Sequence, residues 1–324
     1  MVGLALVVLT ACGSSDSPPP WQIVARHLPG ALFSVWGTSE RDVFVVGADT
    51  GDGRGPLVEH FDGAAWSRLA TGQIGNLWWV FGFPGGAVYM GGEGGTILRY
   101  QGGSFTRMTT PGIGTVFGIW GGAPSDLWAV GGNAGGSNGA FAWRLQGDAW
   151  VEAPGFPTAL AMTDAIWKVY GRGTSDVWMV GTNGVALQWN GTSLTQGSTG
   201  IGESLFTVHA DQDGYVAVGG FATGRILENT GTGWHDNSPA GSPGFVGVCL
   251  SSHGDFAVGQ DGAVYQRDAT AWNKVNTANT IDQTLHSVWI DPSGGVWSVG
   301  GQVLTPPYVD GIVLHQGTAI PQGL

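Results

Sequence analysis

Residues 36 to 47 read WGTSERDVFVVG, and the same phrase returns as WGGAPSDLWAVG at 120 to 131 and as YGRGTSDVWMVG at 170 to 181. Each copy runs from an aromatic residue through a polar turn into a short apolar run that ends on glycine. Anchored on that glycine, seven copies cover the chain, at Gly47, Gly91, Gly131, Gly181, Gly219, Gly259 and Gly300. The runs before the anchors are DVFVVG, GAVYMGG, DLWAVGG, DVWMVG, YVAVGG, DFAVG and GVWSVGG, all of strand character. A second apolar segment lies upstream of each, ending at Trp36, Phe81, Trp120, Tyr170, His209, Cys249 and Trp289, 10 or 11 residues before the glycine.

The anchors recur every 42 residues or so, about the period of a four-stranded propeller blade. Downstream of the anchors come a third strand and a polar turn, as in LVEHFDG, ILRYQGG and ALQWNGT, and then a fourth strand such as AAWSRLA or AWNKV. Strands alternating with Gly, Asp and Asn turns predict an antiparallel meander. A lone meander leaves both faces bare, and radial stacking covers them. The expected fold is therefore all-β: a seven-bladed β-propeller with four-stranded antiparallel blades. Small second-strand residues, Val45, Ala129, Ala217 and Ala257, fit the close approach of neighbouring blades. The last repeat has no aromatic fourth strand in its tail TAIPQGL, whereas WQIVAR, Trp21 to Arg26, resembles AAWSRLA. The ring is expected to be closed by the N-terminal strand, paired with Gly311 to His315, so that the propeller domain spans 21–324.

Composition agrees with this and narrows the function. Fifty-nine glycines in 324 residues exclude a helical bundle, since each costs about 1 kcal/mol inside a helix. A hydrophobic content of 42%, with 16 tryptophans spread along the chain, excludes disorder. A net charge of −12 lacks the basic footprint that binds phosphate backbones, so no nucleic-acid partner is expected.

The N-terminus carries an address. An apolar run, Val2 to Leu9, is too short to span a bilayer and leads into Leu9, Thr10, Ala11 and Cys12. This resembles the lipobox of bacterial lipoproteins, which implies a signal peptide over 1–12, acylation of Cys12 and membrane attachment through that lipid only. It departs from the pattern in having no Lys or Arg before Cys12. Ser14 to Pro20 fits the flexible linker, 13–20, that such proteins carry. With Cys12 acylated, Cys249 is left alone and no disulfide framework is expected. The implied location is the cell envelope, at the outer membrane or the periplasmic face.

The phrase WGxxxxDVWxVG resembles the repeats of bacterial secreted and lipoprotein propellers, loosely within the YVTN, BNR and WD-repeat-like superfamily. GGEGGTILRYQGGSF, Gly91 to Phe105, is similar to repeats of photosystem II assembly-factor propellers. The resemblance covers residues 21 to 317 and implies the fold; propellers host enzymes, lectins and scaffolds alike.

Catalytic signatures are missing. The FRIP and Asp-box motifs of sialidase propellers do not occur, the seven histidines show no HxxxH or HExxH spacing, and glycine-rich segments such as GGNAGGSNGA lack a P-loop ending. No cofactor and no metal are expected; Asp49, Asp52 and Glu59 are spaced wrongly for an EF-hand, which leaves calcium as a minor reading.

A candidate surface follows from loop lengths. In an up-and-down blade the turn between strands two and three and the link to the next blade emerge on the same face. Three such turns are long, Ala48 to Pro56, Gly132 to Ala140 and Gly301 to Asp310, as is the link Pro154 to Ala165. Asp49, Asp52, Arg54, Asn133, Asn138, Phe156, Tyr308 and Asp310 are the candidate binding residues there. The expected function is a non-catalytic envelope scaffold, monomeric, for protein interaction or ligand binding, with an envelope protein or a glycan as partner. The alternatives are a carbohydrate-binding, lectin-like propeller or a glycosidase-type enzyme.

Overall fold

The computed structural model describes residues 18–133 and 139–324 and forms seven four-stranded antiparallel sheets. The first blade runs outward through Leu32–Ser39, Asp42–Asp49, Pro56–Phe61 and Trp66–Arg68. Six blades follow chain order, and the seventh does not. It places Thr284–Ile290, Val296–Gly301 and Gly311–Gln316 inside and adds the N-terminal strand Trp21–Leu28 as its outer member. Trp21 faces Gln316 and Leu28 faces Gly311, so the expected closure is present, two residues longer than read.

Each pair of adjacent blades shares an apolar cluster. Val45, Leu57 and Phe61 of the first blade meet Trp297, Val299 and Val313 of the seventh; Trp128 and Ala142 of the third meet Met179 and Trp189 of the fourth. Ala129, Ala217 and Ala257, in the middle strands, are fully buried. A polar tie recurs beside this packing: the aspartate that opens the DVW phrase accepts from a strand-three donor, as in Asp42 with His60 at 2.7 Å and Asp255 with Arg267 at 2.8 Å.

The anchor glycine has a specific cause. A Cβ at Gly47, Gly131, Gly181, Gly219, Gly259 or Gly300 would fall well inside contact distance of a backbone carbonyl at the start of the same blade's inner strand, such as Ala31 O or Thr115 O. In the second blade this place belongs to Gly92, against Asn76 O, one residue beyond the glycine on which the repeat was anchored.

Candidate functional site

That carbonyl approaches so closely because every inner strand is bulged. Each breaks register with its neighbour over one residue, leaving Phe33, Trp78, Phe117, Trp167, Phe206, Val246 and His286 without a partner. A bulge re-aims its side chain, and here it turns them toward the axis. Successive rings touch around the channel: His286 and Phe33 at 5.5 Å between centroids, Phe33 and Trp78 at 4.1 Å, Trp78 and Phe117 at 5.4 Å, Phe117 and Trp167 at 4.7 Å, Trp167 and Phe206 at 6.0 Å. Val246 sits between Phe206 and His286. The result is an aromatic collar around a cavity of about 250 Å³ at the loop face, roofed by Phe221, Val303, Leu304 and Tyr308 and edged by Thr182 and Ser204.

The inner strands present a bare edge to the channel, and side chains of neighbouring blades satisfy part of it. Ser34 Oγ accepts from Val80 N at 3.2 Å, and Trp79 Nε1 donates to Ile119 O at 2.8 Å. Thr207 Oγ donates to Val246 O at 2.6 Å. His286 Nδ1 donates to Phe33 O at 2.6 Å, bridging the seventh blade to the first. Lys168 Nζ donates to Phe117 O at 2.8 Å and lies 3.9 Å from the Trp79 ring centroid. Burial pushes the Lys168 ammonium down to about 7 and the His286 imidazole, also opposed by Lys168, down to about 3. The channel therefore holds a neutral imidazole and a lysine that titrates near neutrality.

The opposite end of the channel carries a second cavity, of about 210 Å³, lined by the sequence column Trp36, Phe81, Trp120, Tyr170, His209, Cys249 and Trp289. Leu250 N donates to His209 Nδ1, so the ring hydrogen is on Nε2, 3.8 Å from Cys249 Sγ. Burial lowers the imidazole to about 4 and raises the thiol to about 12. A neutral histidine beside a neutral thiol does not make a nucleophile.

The residues singled out from loop length do not converge on one site. Tyr308 lines the collar cavity, 5.3 Å from Phe33 and 5.4 Å from Trp78 between ring centroids. Asp49 clamps its own loop to the next blade, accepting from Gly51 N and Gly75 N. Asp52 pairs with Arg54 at 2.9 Å in solvent, and the Arg54 backbone N–H and guanidinium hold its carboxyl below the usual range. Asp310 binds His27 at 2.6 Å and Gln283 at 2.9 Å. Phe156 packs against the cluster between the third and fourth blades, and Asn133 is exposed. Asn138 and Cys12 lie outside the described residues. Loop length missed the collar because its side chains stand on strands. A signal was present: an aromatic residue or histidine occurs 13 or 14 positions before six of the seven anchor glycines.

Exposed apolar side chains have a common address as well. Ile74, Ile113, Met162, Phe221 and Leu304 are the large exposed hydrophobics among the described residues. The first three stand on links between blades, the last two on turns between strands two and three. All five therefore emerge on the face that opens onto the collar.

Fold comparison agrees with the blade count. The chain is similar to the WD40 propeller domain of Doa1 (11% identity, TM-score 0.67, 93% of this chain and 98% of that one). It is similar to YCF48 bound to a D1 peptide (14%, 0.67, 94% and 100%). It also matches the extracellular domain of a hybrid two-component system from B. thetaiotaomicron (12%, 0.66), covering 94% of this chain and 42% of that one. At these identities the likeness is one of fold. No protein-family model and no curated protein matches the chain.

Proposed function

We propose that this chain is a non-catalytic, lipid-anchored propeller of the bacterial cell envelope whose loop face docks a protein partner. The observation that carries the reading is the gathering of Ile74, Ile113, Met162, Phe221 and Leu304 on one face. Scattered exposed hydrophobics need no explanation, whereas a set confined to one face is what a partner surface requires. The lipobox-like Leu9 to Cys12 supports the anchor, and the extracellular setting of the B. thetaiotaomicron neighbour is compatible with the envelope. The D1 peptide on YCF48 is a precedent for a polypeptide on this fold.

The test is affinity capture from envelope extracts with residues 21–324 as bait, beside a bait carrying Ile74→Ser, Ile113→Ser and Met162→Ser. These side chains are solvated, so the variant is expected to melt as the parent does. A protein retained by the parent and lost by the variant supports the reading; equal capture by both baits, or none, overturns it.

A further inference from the structure

Latching between blades accounts for Ser34, Trp79, Thr207 and His286, but a lysine is a costly group for that task. Taking an ammonium out of water costs far more than taking out a neutral hydroxyl or indole, unless its charge is compensated. Lys168 is 5% exposed, and among the described residues its one hydrogen bond uses one of three N–H groups, with the Trp79 ring face as its other polar support. Among the described residues no carboxylate is close enough to support its charge. It follows the collar residue Trp167 on the inner strand of the fourth blade, and it lines the cavity.

Those surroundings select the ligand by charge and shape. An aromatic collar by itself suits an organic cation, but the ammonium beneath it repels one. A neutral apolar molecule would fill the space and leave the ammonium with the Phe117 carbonyl and the Trp79 face but no counter-charge. An anion with a flat ring satisfies both groups: the carboxylate supplies the missing counter-charge and the ring meets aromatic faces. At about 250 Å³ the cavity lies below the roughly 300 to 1,000 Å³ that takes drug-sized ligands, so the molecule is small. We propose that the channel-mouth cavity binds a small aromatic carboxylate, with its ring among Trp78, Phe117 and Trp167 and its carboxylate paired with Lys168. Phe221 and Leu304 border both this cavity and the proposed docking face, so a docked protein would cover the mouth, but the site does not rest on that docking.

The experiment is calorimetric titration of residues 21–324 with indole-3-acetate, phenylacetate and 4-hydroxycinnamate, each beside its neutral alcohol, with tryptamine as the cation. At about pH 6.5 at least one acid is expected to bind with a Kd below about 1 mM and at least tenfold more tightly than its alcohol; tryptamine is expected not to bind. Raising the pH to about 8.5 removes the proton from free Lys168, so acid affinity falls by up to about tenfold per pH unit. The other titratable groups on the cavity, His286 and Tyr308, stay neutral across that range, the first lowered by burial and the second raised by it and by Glu93. Lys168→Met is expected to abolish the preference for acid over alcohol while the alcohol still binds. Binding of none of the acids, equal affinity for acid and alcohol, or acid binding unchanged in Lys168→Met overturns the proposal. Because this readout uses the purified chain alone, its failure is separate from failure of partner capture.

Discussion

Lys168, one of the chain's two lysines, is held inside the channel because Gly118 on the neighbouring strand leaves room for it: a Cβ there would stand 3.1 Å from the Lys168 Cα. Its charge then becomes a stability term. The folded-state value near 7 lies below the ordinary 10.5, so between those values the unfolded chain binds more protons and stability rises with pH. Cys249 works the other way above about 9, because burial keeps its thiol protonated to about 12. His209, His286 and His315 contribute below about 6.5. The window from about 7 to 9 therefore isolates Lys168. Denaturant unfolding across it is expected to show stability rising by up to about 1.4 kcal/mol per pH unit. In Lys168→Met that rise should vanish; a persisting slope would assign it to another group.

At the scale of one element, the bulge and the anchor glycine are two sides of one device. The extra residue in the inner strand aims an aromatic side chain at the axis, and the displaced carbonyl occupies the space a Cβ would take on the adjacent strand. Gly131→Ala would drive its methyl into Thr115 O and the Phe141 ring. Neither can retreat, one being backbone and the other stacked on Trp143 at 3.8 Å between centroids. The expected loss is about 3 kcal/mol, read from the denaturation midpoint. At exposed Gly147 nothing lies within 4 Å, but its φ of +61° still disfavours alanine, so a smaller loss of about 1 kcal/mol is expected there. Equal losses at both positions would remove the carbonyl clash as the reason for the glycine. The repeat was legible from these glycines, but their cause was not, because a bulge has no sequence mark apart from the structure it interrupts.

For the whole molecule, the ring closes through strands almost 300 residues apart, and its stability depends on that joint. Residues 21–28 cover the outer edge of the seventh blade and bring Trp21 and Val24 into the clusters that join it to the sixth and first blades. Deleting them exposes Leu314, Val313 and a full strand edge, so the melting temperature of the entire propeller is expected to fall in one transition, or the chain to aggregate. Unchanged melting would mean that the first and seventh blades hold together without the shared strand. The blade number, the strand order and the closing partner were all written in the sequence, because each is a periodic or terminal feature: a glycine every 42 residues or so, an aromatic fourth strand missing at one end and present at the other. The collar was not read there, and neither was the solitary ammonium within it. The collar's members lie about a blade apart in the chain, and only radial closure sets Phe33 beside Trp78 and His286, or carries Lys168 across Gly118 to a carbonyl of the preceding blade. Local pattern determines which strands form; what they enclose depends on distances around the ring, which the chain acquires when its ends meet.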